Sequence, residues 1–469
     1  MAADDIARHR PAAAPLPAAI PYWIVGLAAA ILHSALLFFD ATSAAGFFRA
    51  DRASQRFHAM RNLIESSHDY SGFLACLVKQ GIVGDYGIHA ALYALGGPMA
   101  VVSFQVLLAV GAAVCVTYIS WRAFRSRNIA IAGGLLFALL PQSIAFPHQL
   151  LSEAISNPFL IFGTALLLRA LQRPRAAWGW AIAGLCMGMA AFVRPALVLL
   201  PLVAAGLLGA LDHTRLRSWR TGVFVLSGLL PLLLWCFFMF IHTGKFGPGQ
   251  STQDLGLNFS QSTAKVLLGE GVAAPNGEAP EWLPTRLTLP QYLHYVAAHP
   301  KGFANLYFKN TLVLVTDSGI GRLYVDLLGF GAEERIRLQD PVLGWRAQLT
   351  NHGPVAMLRQ GWRIAPGTIA AGVLGAAGFA LVNLGVAIAY VLLLRRNSPM
   401  KDPQNDLQQR WCLAFLLAVP IYVLATSQVV AYAPSRLRSQ GEFAWAILTC
   451  FGWAAVIRRR FCRTREEQP

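Results

Sequence analysis

Apolar residues gather along this chain in long uncharged blocks, separated by shorter polar connections. Ile20 to Phe39, Met99 to Ser120, Gly222 to Ile241, Pro366 to Leu394 and Cys412 to Ala433 each lack Asp, Glu, Lys and Arg. Each block has about the 20 residues that an α-helix needs to cross the ~30 Å hydrocarbon core of a bilayer. In lipid a single segment must satisfy its own backbone hydrogen bonds, so these blocks are predicted to be helices. Adding shorter blocks gives spans near 20–39, 99–120, 129–147, 150–168, 176–193, 195–211, 222–241, 366–394, 411–432 and 442–457. The predicted fold class is therefore an all-α polytopic membrane protein of about ten transmembrane helices.

Composition supports this reading. Charged residues make up 13% of the 469 residues and hydrophobic ones 55%, with a mean hydropathy of +0.48. A soluble globular chain carries about 25% charged residues, so a soluble multidomain protein is excluded. The net charge of +16 could suggest nucleic acid, but its placement argues against that. Arg8 and Arg10, Arg122 to Arg127, Arg169 to Arg175, Arg215 to Arg220, Arg395 to Arg410 and Arg458 to Arg465 all fall in connections on one side of the predicted spans. About half of the 39 basic residues lie there, and basic residues dense in short loops mark the cytoplasmic side. Both termini are thus predicted to be cytoplasmic, in a plasma membrane of bacterial inner-membrane type.

Four further segments complete the organisation. Residues 1–19, rich in Ala and Pro, read as a disordered cytoplasmic start rather than a cleaved signal, since Asp4 and Asp5 precede a block long enough to span. The transmembrane core 20–241 carries a first outer loop at 40–98, and residues 242–365 form an outer layer ahead of the C-terminal helices 366–457 and the basic tail 458–469. Within the outer layer, Phe303 to Val315 is apolar but short and holds Lys309, which suits an interfacial helix better than a span. A similar short helix is predicted over Asp85 to Leu95. None of the seven cysteines forms a CxxC pair, and the eleven histidines show no HxH or HExxH spacing. No metal and no other cofactor is expected.

Charges at a membrane boundary are costly and become candidates for function. On the outer side these are Asp40 at the end of the first span, Asp51 in the first outer loop, and Glu153 in HQLLSEAISN. Arg194 in AFVRPALVL, Lys309, and Arg436 and Arg438 in YAPSRLRSQGEF complete the set. Carboxylates and arginines beside lipid suit chemistry on a phosphate-bearing lipid. A carboxylate can accept the proton of an acceptor hydroxyl, and arginine forks can stabilise charge on a departing phosphate. A boundary arginine can equally snorkel to headgroups.

In chain order, several motifs resemble landmarks of the membrane glycosyltransferases of the C-type fold (GT-C). That group includes the protein O-mannosyltransferases and the lipid A aminoarabinose transferase. ADRASQRFHAMRNL places Asp51 at an acidic first-loop position, and GDYGIHAALYALGGPMAVVSFQ follows it. LFALLPQSIAFPHQLLSEA runs through Glu153, and GLCMGMAAFVRP is similar to a Gly-rich stretch ending in Arg-Pro. STQDLGLNFS, AAHPKGFANLYFKN and SRLRSQGEF resemble later landmarks. The chain departs from the pattern where Arg52 follows Asp51, where Gln253-Asp254 stands, and where Gly441 replaces a proline.

The resemblance implies transfer of a sugar from a polyprenyl-phosphate carrier to a lipid, glycan or protein acceptor at the outer face, with inversion. Asp51 would be the general base, and Glu153 would orient the donor sugar or assist. Arg436 and Arg438, with Arg194, Lys309 and Asp40, would bind the carrier phosphate or sugar. Two alternatives stand beside this one: a transporter or flippase of lipid-linked saccharides, and an inactive GT-C-like scaffold of envelope assembly. No nucleic-acid partner is expected.

Overall fold

The computed structural model describes residues 22–42, 83–172, 176–211, 219–244, 246–247, 250–271, 282–320, 359–363, 366–395, 407–427 and 438–466. The predicted start 1–19, Asp51 and Arg436 lie outside the described residues.

Among the described residues, each predicted span falls mainly on helix. The first is α1 (Tyr22–Thr42), followed by α2 (Val83–Phe124) and α3 (Arg127–Leu139). Then come α4 (Pro141–Ala145), α5 (Glu153–Gln172), α6 (Ala177–Val193), α7 (Leu200–Leu211) and α8 (Trp219–Thr243). The outer layer contains α9 (Gln250–Gly269), α10 (Leu289–Ala298) and α11 (Pro300–Thr316). The chain closes with α12 (Pro366–Leu394), α13 (Leu407–Ser427) and α14 (Glu442–Glu466). Among the described residues seven helices are long and apolar enough to cross a membrane, eight if one bent pair counts as a span. The segments 177–193 and 195–211, which the sequence presents as spans, are shorter apolar helices.

Two helix breaks lie near the predicted outer face. The predicted short helix at Asp85 to Leu95 and the second span are both parts of α2, divided at Gly96 and Gly97. Gly97 has φ 63°, a left-handed conformation that costs glycine little, and Pro98 opens the next segment. The third span breaks at Leu140, held extended (φ −64°, ψ 134°), so that α4 and the 3-10 turn Phe146–His148 leave α3 at 58°. The cause is local: the ring of Pro141 disfavours helical geometry at the residue before it.

The core of the bundle is built from α1, α2, α3, α5, α6, α13 and α14 around Val25, Val116, Phe137, Leu168, Trp411, Phe415 and Phe443. The outward side of α8 presents Leu226, Leu230, Leu234 and Phe237, as a lipid-facing surface does. At the predicted cytoplasmic end, polar side chains staple helices together across low-dielectric surroundings. Gln409 donates to the Ala123 carbonyl (3.0 Å), Gln408 donates to the Leu168 carbonyl, and the Trp411 indole donates to the Ala204 carbonyl (3.1 Å). The buried Arg122 directs both terminal nitrogens to the Gln172 side-chain oxygen, at 2.7 and 2.9 Å.

α6 and α8 approach backbone to backbone. A Cβ added at Gly188 would stand 2.1 Å from the Gly228 carbonyl oxygen, and one at Gly184 would stand 2.1 Å from that of Phe224. Small residues at a membrane helix interface permit this close van der Waals packing. Gly188→Ala is therefore expected to push α6 from α8 and to destabilise the protein by about 1–3 kcal/mol. Thermal unfolding in detergent reads the effect, and an unchanged midpoint would refute the packing account.

The outer layer has a small core of its own: Phe259, Val266, Leu267, Leu287, Tyr292 and Phe303. Tyr292 stacks on Phe259 at 4.3 Å between ring centroids and shares a 2.8 Å hydrogen bond with the Tyr307 hydroxyl. Burial, and then that hydrogen bond, push the Tyr292 hydroxyl far above its ordinary titration range. α11 forms where the interfacial helix is predicted. It exposes Phe308, Leu312 and Val313 and sends Leu314 into the main core.

Candidate functional site

The helix ends that the topology assigns to the outer side carry a belt of buried polar side chains. Glu153 opens α5 and Arg194 caps the end of α6. Their side chains meet at 2.5 Å between Glu153 Oε1 and Arg194 Nη1, with the carboxylate fully buried and the guanidinium 12% exposed. Ser152 Oγ donates to the other carboxylate oxygen at 3.0 Å. Local sequence explains both positions. Pro195 ends α6, so Arg194 is extended (φ −140°, ψ 100°) and its side chain leaves the helix axis. Glu153 sits in the first turn of α5, where the helix dipole favours a carboxylate.

The segment leading into α14 joins this pair. The Gln440 side-chain oxygen accepts from Arg194 Nε and from Nη2, the latter at 3.3 Å. Asn157, one turn along α5 from Glu153, donates its amide to the Ser439 carbonyl at 3.2 Å. Thus Glu153, Arg194 and residues 439–440 form one connected site, although the chain separates them widely.

Arg438 borders this site but faces inward. It is fully buried, with Nη1 donating to the Leu314 carbonyl at 2.8 Å and to that of Asp317. Its Nη2 stands 3.6 Å from Glu442 Oε1, and the guanidinium lies 3.8 Å from the centre of the Phe379 ring. Ser143 Oγ donates to the second oxygen of Glu442 at 3.1 Å. The Leu314 carbonyl lies in the last turn of α11, where a helix leaves carbonyls without intrahelical partners. Arg438 therefore caps α11, placing a cation at the negative end of the helix dipole. Asn383 of α12 assists by donating to the Val315 carbonyl.

Of the remaining predicted residues, only Lys309 has a described side chain. Lys309 is exposed on α11. Asp40 occupies the end of α1, and Asp51 and Arg436 lie outside the described residues.

The site includes groups that reading by charge and motif passed over. Glu442 opens the last helix, where a buried acid is as costly as at Glu153, and that cost was a usable signal. A second cluster joins Asp85, His89 and Gln105 on the two parts of α2, and a third pairs His33 with His148 at 3.2 Å. Beside the ion pair is a cavity of about 30 Å³ lined by His33, Gln142, Ser143, Glu153 and Asn157. It has room for about two waters. Among the described residues no group of three metal-ligating side chains converges.

The sequence matches no family model and none of the curated proteins. In fold the chain is similar to the archaeal oligosaccharyltransferase AglB from Archaeoglobus fulgidus in complex with an inhibitory peptide and a dolichol-phosphate. That comparison has a TM-score of 0.48 and 11% identity, and covers 96% of this chain and 52% of that one. It is similar also to the Archaeoglobus fulgidus oligosaccharyltransferase in the apo form, with a TM-score of 0.50 and 11% identity over 95% of this chain and 52% of that one. The chain spans about half the length of these solved structures. At such identity the likeness is one of fold alone, and it fits the all-α membrane architecture described above.

Proposed function

We propose that this protein is an inverting membrane glycosyltransferase that moves a sugar from a polyprenyl-phosphate carrier to an acceptor at the extracytoplasmic face. The observation that carries the reading is the buried Glu153–Arg194 pair, joined to residues 439–440 at the helix ends of a GT-C-type bundle. Fold likeness to an oligosaccharyltransferase supports glycosyl transfer as the class of reaction. A carboxylate and a guanidinium withdrawn from water at a membrane rim supply the electrostatics that a phosphate leaving group requires.

In this reading Asp51 accepts the acceptor's proton as the anomeric carbon is attacked in one displacement. The departing carrier phosphate needs little protonation, so a single general base suffices. Glu153 orients the donor sugar, with Arg194 fixing its carboxylate. Arg436, Arg194 and Lys309 meet the carrier phosphate, and Asp40 borders the donor. Arg438, turned toward Leu314, Asp317 and Glu442, anchors the segment that carries Arg436. The acceptor is a lipid, glycan or peptide at the outer face of a bacterial inner membrane.

The test is reconstitution in liposomes with polyprenyl-phosphate-linked sugars and a panel of acceptors. The wild type is expected to transfer sugar with inversion, and Asp51→Asn to lose about 10²- to 10⁴-fold in rate, the usual contribution of a positioned general base. Undiminished transfer by both Asp51→Asn and Glu153→Gln would refute the assignment.

A further inference from the structure

The segment that delivers Glu153 is not helical. From Phe146 to Ser152 the chain passes through a 3-10 turn, an extended Gln149 (φ −127°, ψ 151°) and a short loop before α5 begins. Short local bonds, such as Gln149 N–H to the Phe146 carbonyl (3.0 Å) and Leu151 N–H to the Gln149 carbonyl (2.9 Å), replace the helical ladder here, so side chains from neighbouring helices contribute to its placement. Its carbonyls at Pro147 and Gln149 are met by the amide of Gln105, on the span portion of α2.

The amide of Gln105 satisfies all its neighbours in one orientation. Its nitrogen donates to the Pro147 carbonyl at 2.7 Å and to the Gln149 carbonyl at 3.2 Å, and its oxygen then faces His89 Nε2 at 2.7 Å. An amide oxygen only accepts, so His89 Nε2 must carry a proton. On the other side of the imidazole, Nδ1 lies 3.0 Å from Asp85 Oδ1. Asp85, His89 and Gln105 are 0%, 2% and 0% exposed, so water does not substitute for any of these contacts.

We propose that Asp85, His89 and Gln105 form a strut that positions the Pro147–Glu153 segment, and with it the Glu153 carboxylate. The strut spans the Gly96–Gly97 break, because Asp85 and His89 precede it and Gln105 follows it. It thereby ties the angle between the two parts of α2 to the placement of the carboxylate. These are positioning residues, and their link to turnover rests on the transferase reading above.

The test uses full-length protein in nanodiscs, with three readouts. In wild-type protein labelled with ¹⁵N-histidine, one imidazole is expected to carry a hydrogen-bonded proton on Nε2, its signal vanishing in His89→Gln. Backbone hydrogen exchange across 146–153 is expected to quicken at least tenfold in Gln105→Met and His89→Leu, while 177–193 is unchanged. It should stay near wild type in His89→Gln, whose amide can still donate to Gln105. In the transfer assay Gln105→Met is expected to lower kcat at least tenfold with KM for the lipid-linked donor unchanged, and His89→Gln to recover most of the loss.

A His89 with an unprotonated Nε2 in the wild type overturns the strut, as does unaltered exchange at 146–153 in Gln105→Met. If the wild type transfers no sugar while the first two readouts hold, the strut stands and the reading of the reaction fails.

Discussion

Glu153→Gln is expected to reduce sugar transfer by at least about 10²-fold, the scale on which removal of one preorganised electrostatic contact acts. It is also expected to destabilise the fold. The carboxylate is fully buried and its partner Arg194 is 12% exposed, so the substitution leaves a largely desolvated guanidinium without its counter-charge. Breaking one side of a buried pair typically costs about 3–5 kcal/mol, whereas removing both charges is often close to neutral. The double substitution Glu153→Gln with Arg194→Met should therefore restore most of the lost stability. On the proposed role of Glu153 it should not restore transfer, because that charge is absent in both cases. A double-mutant cycle on thermal or denaturant unfolding measures the stability half, and contacting residues should couple by about 0.5–3 kcal/mol. Additive effects on stability would show that the two side chains do not depend on each other. Restored transfer by the double variant would show that the pair serves folding alone.

This contrast bears on what the sequence made legible. Glu153 and Arg194 stood out because a charge within an apolar run must be compensated, and that cost is visible without any coordinates. Their partnership was not visible, because it depends on Pro195 turning Arg194 away from its helix and on α5 packing against α6. The longest spans were legible because a bilayer admits few backbone solutions, so the uncharged blocks 20–39, 222–241 and 366–394 fall on α1, α8 and α12. The bend at Leu140 was less so. Pro141 and Pro147 lie within the predicted span 129–147, but whether a proline kinks a span or ends it is decided by what receives the freed backbone groups. The role of Gln105 was hidden for the same reason. A glutamine within a span has no evident partner until the carbonyls of a distant irregular turn arrive beside it.

Arg438 was expected from its place near the last span to look outward to a phosphate, yet its guanidinium points at the carboxyl end of α11. Arg438→Met is expected to cost about 3–5 kcal/mol by stranding the buried Glu442 carboxylate, with a further penalty for carbonyls left without a donor. Arg438→Lys retains the charge but not the planar fork. An ammonium cannot serve two carbonyls and a carboxylate in one geometry while lying flat on the Phe379 ring. An intermediate loss of about 1–2 kcal/mol is expected. The location of the damage separates this account from a general loss of stability. Hydrogen exchange should quicken first at 312–317, the last turn of α11, while the buried face of α13 keeps its protection, because only the former lies at the end of the cap. Because α11 also carries Lys309, loosening its end frees a residue assigned to the carrier phosphate, so donor binding should weaken in Arg438→Lys even where the fold survives. A variant that loses stability with no early exchange at 312–317 would remove the cap from the explanation.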